Sequence, residues 1–167
     1  MKQKRITDIC ECKQHGFTQL TRGLTALFSP EDLPIIKGHN WYANPTRGMF
    51  YASRRGKAHE AGKTVKMHRE LSRQKTVDHI NNDSLDNRRE NLRPCTQAEN
   101  ARNARPWGGV CYKGVSFHKI TQKYRARIRI NGATRQIGVF DDPKSAALAY
   151  NEAAKAHYGV FAYLNEI

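Results

Sequence analysis

The apolar and polar positions of this chain fall into three stretches with different patterns. Over 13–72, short apolar runs rich in β-branched and aromatic residues alternate with turn residues. Segments 17–20, 23–28, 39–43 and 49–53 predict strands, and Asn44-Pro45-Thr46-Arg47-Gly48 between the last two has hairpin-turn chemistry. Another strand is predicted over 64–68, running into Arg69-Glu70-Leu71. Over 76–103 the segments shorten. Val77-Asp78-His79-Ile80 predicts a brief strand, 81–86 a polar loop and 92–95 a second strand. Thr96 then opens a helix, with Glu99 at capping-box spacing. Asn100 and Asn103 lie on that helix, one turn apart.

The segment 104–109, with Pro106 and Gly108-Gly109, reads as a linker. Beyond it, strands are predicted over 112–117, 123–130 and 134–140, the last two joined by the tight-turn pair Asn131-Gly132. Asp142 and Pro143 then start an Ala-rich helix that ends at Gly159. Alternation over 123–130 is nearly perfect. Arg125, Arg127 and Arg129 share one face of that strand, while Ala126, Ile128 and Ile130 share the other and suit packing against the helix. Thr134 and Gln136 extend the polar face in the next strand, with Ile137 turned inward. A merely solvated face more often mixes Lys and Glu than presents three Arg in a row.

Charge narrows the partner class. The 29 Lys and Arg against 15 Asp and Glu give a formal net charge of +14, which repels itself unless a polyanion sits nearby. Nucleic acid is the usual partner of such a surplus, with an acidic membrane surface or simple solubility as alternatives. No apolar run approaches the roughly 20 residues that span a bilayer, and Met1 to Lys13 lacks the apolar centre of a signal peptide. Cys10, Cys12, Cys95 and Cys111 form no regular framework, which suits a reducing compartment. The expectation is a soluble, cytoplasmic protein that seeks a polyanion.

Candidate chemistry sits in VDHINNDSLDNRRENLRPCTQAEN. Cleaving a phosphodiester requires a base for the attacking water, and a histidine titrating near neutrality fits that task. It also requires positive charge at the phosphate and the leaving oxygen, which a hard divalent cation on oxygen ligands supplies. An Asp-His pair alone is common, and an Asn-rich loop alone is ordinary turn chemistry. Their combined order and spacing closely resemble the HNH nucleases of the ββα-metal class, above all the phage and intron homing endonucleases. The resemblance implies that His79 is the general base and that Asn91 fixes the loop and orients the His79 ring. It implies that Asp78 and Asn100 hold Mg²⁺ or another divalent cation such as Mn²⁺, with Asn103 as the rival second ligand. Arg93 and Arg102 are either phosphate clamps or solvated charges. His68, in Met67-His68-Arg69-Glu70, is either structural or a DNA contact. A four-ligand zinc site draws little support, because Cys10 and Cys12 are one residue apart with His15 following, and Cys95 and Cys111 lie far off.

The third stretch also resembles a family. Tyr112-Lys113-Gly114-Val115, Tyr124-Arg125-Ala126-Arg127-Ile128-Arg129, Ile137-Gly138-Val139-Phe140 and Ala146-Ala147-Leu148-Ala149-Tyr150-Asn151 look like the plant ethylene-response-factor (APETALA-type) domain. Ala153-Ala154, Gly159, Ala162 and Asn165 continue the likeness. It implies a sheet in the DNA major groove, with Lys113, Ser116, His118, Arg127, Arg129, Thr134 and Gln136 facing DNA. Arg125 joins them by strand alternation. Ser116, His118, Thr134 and Gln136 stand where the plant domains usually carry Arg or Trp, so the plant target preference does not transfer.

The expected architecture is α+β. A ββα-metal HNH core with a β-rich N-terminal region occupies 1–105, and a three-stranded antiparallel sheet packed on one helix occupies 106–167. The expected activity is hydrolysis of double-stranded DNA, by nicking or double-strand cutting, with a phage-encoded origin in keeping. The alternative is a DNA-binding transcriptional regulator with a dead nuclease core. Neither a membrane nor a protein partner is implied.

Overall fold

The computed structural model describes residues 5–46, 48–57, 62–106 and 112–167. The chain divides into two compact units, Met1–Thr96 and Gln97–Ile167. Among the described residues, no helix is long and apolar enough to cross a membrane.

The first unit contains β1 (Thr7–Ile9), β2 (Gly16–Gln19), β3 (Thr25–Phe28), α1 (Leu33–Lys37), β4 (Tyr42–Thr46) and β5 (Met49–Arg55). It continues with β6 (Thr64–Lys66), α2 (Met67–Ser72), β7 (Val77–His79), β8 (Asp86–Asn87) and β9 (Leu92–Pro94). One sheet has the order β1-β2-β3-β8, another β4-β5-β6, and β7 pairs with β9. Phe28, Ile36, Trp41, Ala52 and Met67 form the buried centre of this unit, and the Trp41 indole donates to the Ile36 carbonyl at 3.0 Å. The strand expected over 64–68 stops at Lys66. Met67, His68 and Leu71 are all buried, a helical spacing that carries the chain into α2 instead. The strand expected over 39–43 lies at Tyr42–Thr46, and its hairpin turn includes Arg47, which falls outside the described residues. β1 and α1 escape the sequence pattern because each is too short to show a period.

Two anchors hold the stretch between β7 and β9 to this framework. Arg89 forms a forked pair with fully buried Asp32, at 2.6 and 3.0 Å, while its backbone N–H donates to the Ser29 hydroxyl. The Ser84 hydroxyl donates to the Phe50 carbonyl at 2.7 Å. Asp32 is shut off from solvent, so removing Arg89 would leave a buried charge without its guanidinium.

The second unit contains α3 (Gln97–Asn103), β10 (Val115–His118), β11 (Lys123–Ile130), β12 (Ala133–Phe140) and α4 (Pro143–Tyr158). The three strands form one antiparallel sheet, and Ile128, Tyr150 and Ala154 centre the core between sheet and α4. Asp142 caps α4 by accepting from the Ser145 N–H at 2.9 Å, and Pro143 occupies its first turn, as the pattern predicts. A bulge breaks the β11–β12 register: Ala126 faces Gly138, but Arg127 faces Gln136, leaving Ile137 as the extra residue. Strict alternation misses this. The bulge keeps Ile137 against the core, brings Val139 opposite Arg125 and leaves it exposed. Gly114, at φ +77°, is required sterically, since a Cβ there would lie 2.0 Å from the Tyr150 ring.

The second unit begins at Gln97, so α3 belongs to it together with the C-terminal sheet and α4. The Lys113 ammonium donates to the carbonyls of Ala101, Arg102 and Ala104, and the Tyr163 N–H donates to that of Arg102. A cation on the exposed carbonyls at a helix C-terminus is electrostatically favourable. Trp107 to Cys111 lie outside the described residues, so the Gly108-Gly109 part of the expected linker is not described.

Candidate active site

Asp78 and His79 end β7, whose register against β9 places Asp78 opposite Arg93 and His79 opposite Leu92. Both side chains are buried. Arg93 donates twice to Asp78 Oδ2, from Nε at 2.9 Å and from Nη2 at 2.6 Å. The guanidinium compensates a carboxylate that would otherwise be costly to bury. In the structure Arg93 therefore pairs with the acid next to the histidine.

The His79 ring sits among aromatic rings rather than in water. His68 meets it edge-on at 4.9 Å between centroids, and Tyr51 lies 6.2 Å away. Burial is the largest influence on its proton affinity and lowers its pKa below the ordinary imidazole range. The nearby Asn87 amide and the charges of Asp78, Asp83 and Asp86 push the other way without reversing the shift. His79 is therefore neutral at neutral pH, the form that accepts a proton. Burial drives His68 further, to about 2, helped by His79, Lys66 and Arg69. Its Nδ1 is buried with no hydrogen-bond partner.

Asn91 closes the connecting loop. Its Nδ2 donates to Asn81 Oδ1 at 2.9 Å and to the Asp86 carbonyl at 2.8 Å. Its Oδ1 accepts from the Asn81 N–H at 3.0 Å, and its carbonyl accepts from the Ile80 N–H at 2.9 Å. Three of these four bonds tie Ile80 and Asn81, just after His79, to the residue before β9, and the fourth reaches Asp86. Asn81 and Asp83 each accept from a backbone N–H two residues ahead, and Arg88 holds Asp86 at 2.8 Å. The loop-fixing part of the expectation for Asn91 thus has a direct counterpart. Asn87, a fully buried residue of β8 that the sequence reading does not single out, lies close enough to His79 to raise its proton affinity, and its Nδ2 donates to the Leu85 carbonyl at 3.0 Å. A two-residue strand leaves no periodicity to notice.

Comparison with known proteins fits this arrangement. A family model described as HNH endonuclease matches residues 70–102. An uncharacterized HNH endonuclease of Acanthamoeba polyphaga mimivirus is 30% identical over 155 residues, spanning 90% of this chain and 81% of that protein. The chain belongs to the HNH endonucleases. No solved structure matches it.

The matched HNH stretch contains Asp78, His79, Asn91 and Asn100 and ends just before Asn103. The structure brings Asp78, His79 and Asn91 together in the first unit. Asn100 and Asn103 lie on α3 of the second unit, where Asn100 is exposed and Asn103 buried. Arg102 of the same helix stacks over the Tyr158 ring at 5.1 Å.

In this HNH endonuclease the face of the second unit's sheet away from α4 carries the other predicted residues. Register puts Ser116 opposite Arg125, Gln136 opposite Arg127 and Thr134 opposite Arg129. Arg127, Arg129, Thr134 and Gln136 are exposed, while Ser116, His118 and Arg125 are half-buried. Arg127 donates to the Ser116 hydroxyl at 2.7 Å and Arg129 to the Gly132 carbonyl at 3.2 Å. Neither bond neutralises a guanidinium. Lys113 stands apart from this set, with its ammonium on the α3 carbonyls.

Proposed function

We propose that this HNH endonuclease is a metal-dependent, homing-type enzyme that hydrolyses phosphodiester bonds in duplex DNA. One observation carries the reading. A buried, neutral histidine sits beside a buried carboxylate at a strand end, behind a loop locked by Asn91, inside the stretch that matches the family.

In this reading 1–105 performs the chemistry and 106–167 binds DNA. His79 takes the proton of the attacking water, and its neutrality lets it do so without first losing one. Asn91 fixes the backbone beside His79 and orients its ring, so the acceptor nitrogen has a fixed aim. The resemblance assigns Asp78 and Asn100 as the residues that would hold a divalent cation, Mg²⁺ or Mn²⁺. A carboxylate plus a neutral amide oxygen suits a hard ion that keeps much of its water. When bound, that ion supplies positive charge to the phosphate oxygens and the leaving oxygen. Arg93, which neutralises Asp78 in the structure, would be freed to hold phosphate if a divalent cation took its place on the carboxylate. The Arg-lined sheet, which resembles the ethylene-response-factor domain, grips the duplex in its major groove, with Arg able to read guanine or hold phosphate. One active site per chain cuts one strand, so a monomer nicks.

Supercoiled plasmid incubated with the purified chain and Mg²⁺ tests this. The expected result is conversion to open circles bearing 3′-hydroxyl and 5′-phosphate ends, abolished by EDTA. Plasmid bound yet uncut, with Mg²⁺ or Mn²⁺ present, would instead indicate a DNA-binding regulator.

A further inference from the structure

The hairpin joining β1 to β2 holds a cluster that the nuclease chemistry does not use. Cys10, Cys12 and His15 each offer one ligand atom, and those three atoms lie within 4.8 Å of one another. Cys12 Sγ is 3.6 Å from His15 Nδ1. In a tetrahedral zinc site with bonds near 2.3 Å to sulfur and 2.0 Å to nitrogen, neighbouring donors stand about 3.5–3.8 Å apart. The observed spacing is therefore close to a closed site, and small side-chain rotations complete it.

The loop backbone explains why the donors converge. The Cys10 N–H donates to the His15 carbonyl at 2.9 Å, and the Lys13 N–H donates back to the Cys10 carbonyl at 2.8 Å. Lys13 takes a left-handed conformation at φ +58°, which folds the chain tightly enough for residues 12 and 15 to meet. On the far side the loop is pinned at Gly16, where a Cβ would lie 2.2 Å from the Phe28 ring. Cys10 and His15 are half-buried and Cys12 exposed, so an ion can reach them. β1 is an edge strand of three residues that packs on the core through Ile9, and so short a strand gains from a clamp.

We propose that Cys10, Cys12 and His15 form a three-donor site for a thiophilic divalent ion of the zinc class, clamping the β1–β2 hairpin. Two thiolates and an imidazole select such an ion over Mg²⁺, which favours oxygen. The fourth position is left to water or to a donor from outside the loop. The site is chemically distinct from the oxygen donors at Asp78. It does not rest on the nuclease reading.

Cobalt titration of the full, reduced, EDTA-stripped chain tests the proposal. Co²⁺ alone should give a thiolate-to-cobalt charge-transfer band that saturates at a single equivalent and is bleached by Zn²⁺. The band should disappear in C10S/C12S and weaken in H15A, yet persist in C95S/C111S and in D78N. Amide resonances of the β1–β2 hairpin should shift on adding Zn²⁺ to the wild type and stay still in C10S/C12S, a readout that also confirms the variant is folded. A band that survives C10S/C12S would overturn the assignment. So would the absence of any band, including one caused by a Cys10–Cys12 disulfide that persists under reductant.

Discussion

The His79 site and the Arg-lined sheet treat charge in opposite ways. In the first unit several ionisable groups are enclosed or paired. Asp78 is held by Arg93, Asp86 by Arg88 and Asp32 by Arg89, while burial keeps His79 and His68 neutral. On the sheet, Arg127 and Arg129 are exposed and their side-chain bonds go to neutral oxygens. The first arrangement fixes protonation and geometry before a substrate arrives. The second keeps positive charge available to a polyanion at long range. Damage to the first region should thus appear in turnover, and damage to the second in affinity and its salt dependence.

The sharpest way to break this contrast is His79→Ala. Removing the base should lower nicking by about 10²–10⁴-fold while binding changes little, since the ring is buried. Rate constants under saturating DNA, beside a gel-shift titration, check both halves. Asn91→Ala comes next. It leaves the Asn81 amide and the Asp86 carbonyl without their partner and lets the loop drift, for a loss of about 10²-fold in turnover and about 2 kcal/mol in stability. Denaturant unfolding and single-turnover rates would show the two together; intact turnover would mean the loop does not position His79.

A smaller effect is expected on the sheet. Arg127→Ala with Arg129→Ala should flatten the log–log salt dependence of binding by about 0.9 for each phosphate that the pair neutralises. Titrations at several salt concentrations measure it, and an unchanged slope would mean that neither residue meets phosphate.

The smallest effect concerns His68. Its pKa falls from 6.5 to about 2 on folding, so between those values the unfolded chain binds more protons than the folded one. Stability is then retained above pH 6.5 and declines as pH falls below it, by about 1.4 kcal/mol per pH unit for one proton. His68→Phe keeps the ring volume and removes that contribution, so its unfolding free energy should depend less steeply on pH below 6.5. Some slope should remain, because His79 shifts in the same direction. Equal slopes in the two proteins would contradict the burial argument.

The same contrast explains what the sequence reveals. The β11 face is legible because alternation is a two-residue period, and eight residues display it four times. The motif around Asp78, His79 and Asn91 is legible through its order, although β7 and β9 have only three residues each. What escapes depends on neighbours distant in sequence. Asn87 is fully buried in β8, which runs parallel beside the distant β3. The bonds of Lys113 to the α3 carbonyls show only once α3 is seen to end beside it. Arg93 reads as either a phosphate clamp or a solvated charge, and only the β7–β9 register sets it against Asp78. The Ile137 bulge is hidden for the same reason, since no single strand shows its partner's register.

The decisive measurement sets His79→Ala and Arg127→Ala/Arg129→Ala side by side on one supercoiled plasmid with Mg²⁺, recording binding and nicking for each. The account predicts a crossed result: the first variant binds as the wild type does and fails to nick, while the second binds weakly but nicks at the wild-type rate once DNA saturates it. If His79→Ala nicks normally when bound, the buried histidine is not the base and the assignment of the active site is wrong.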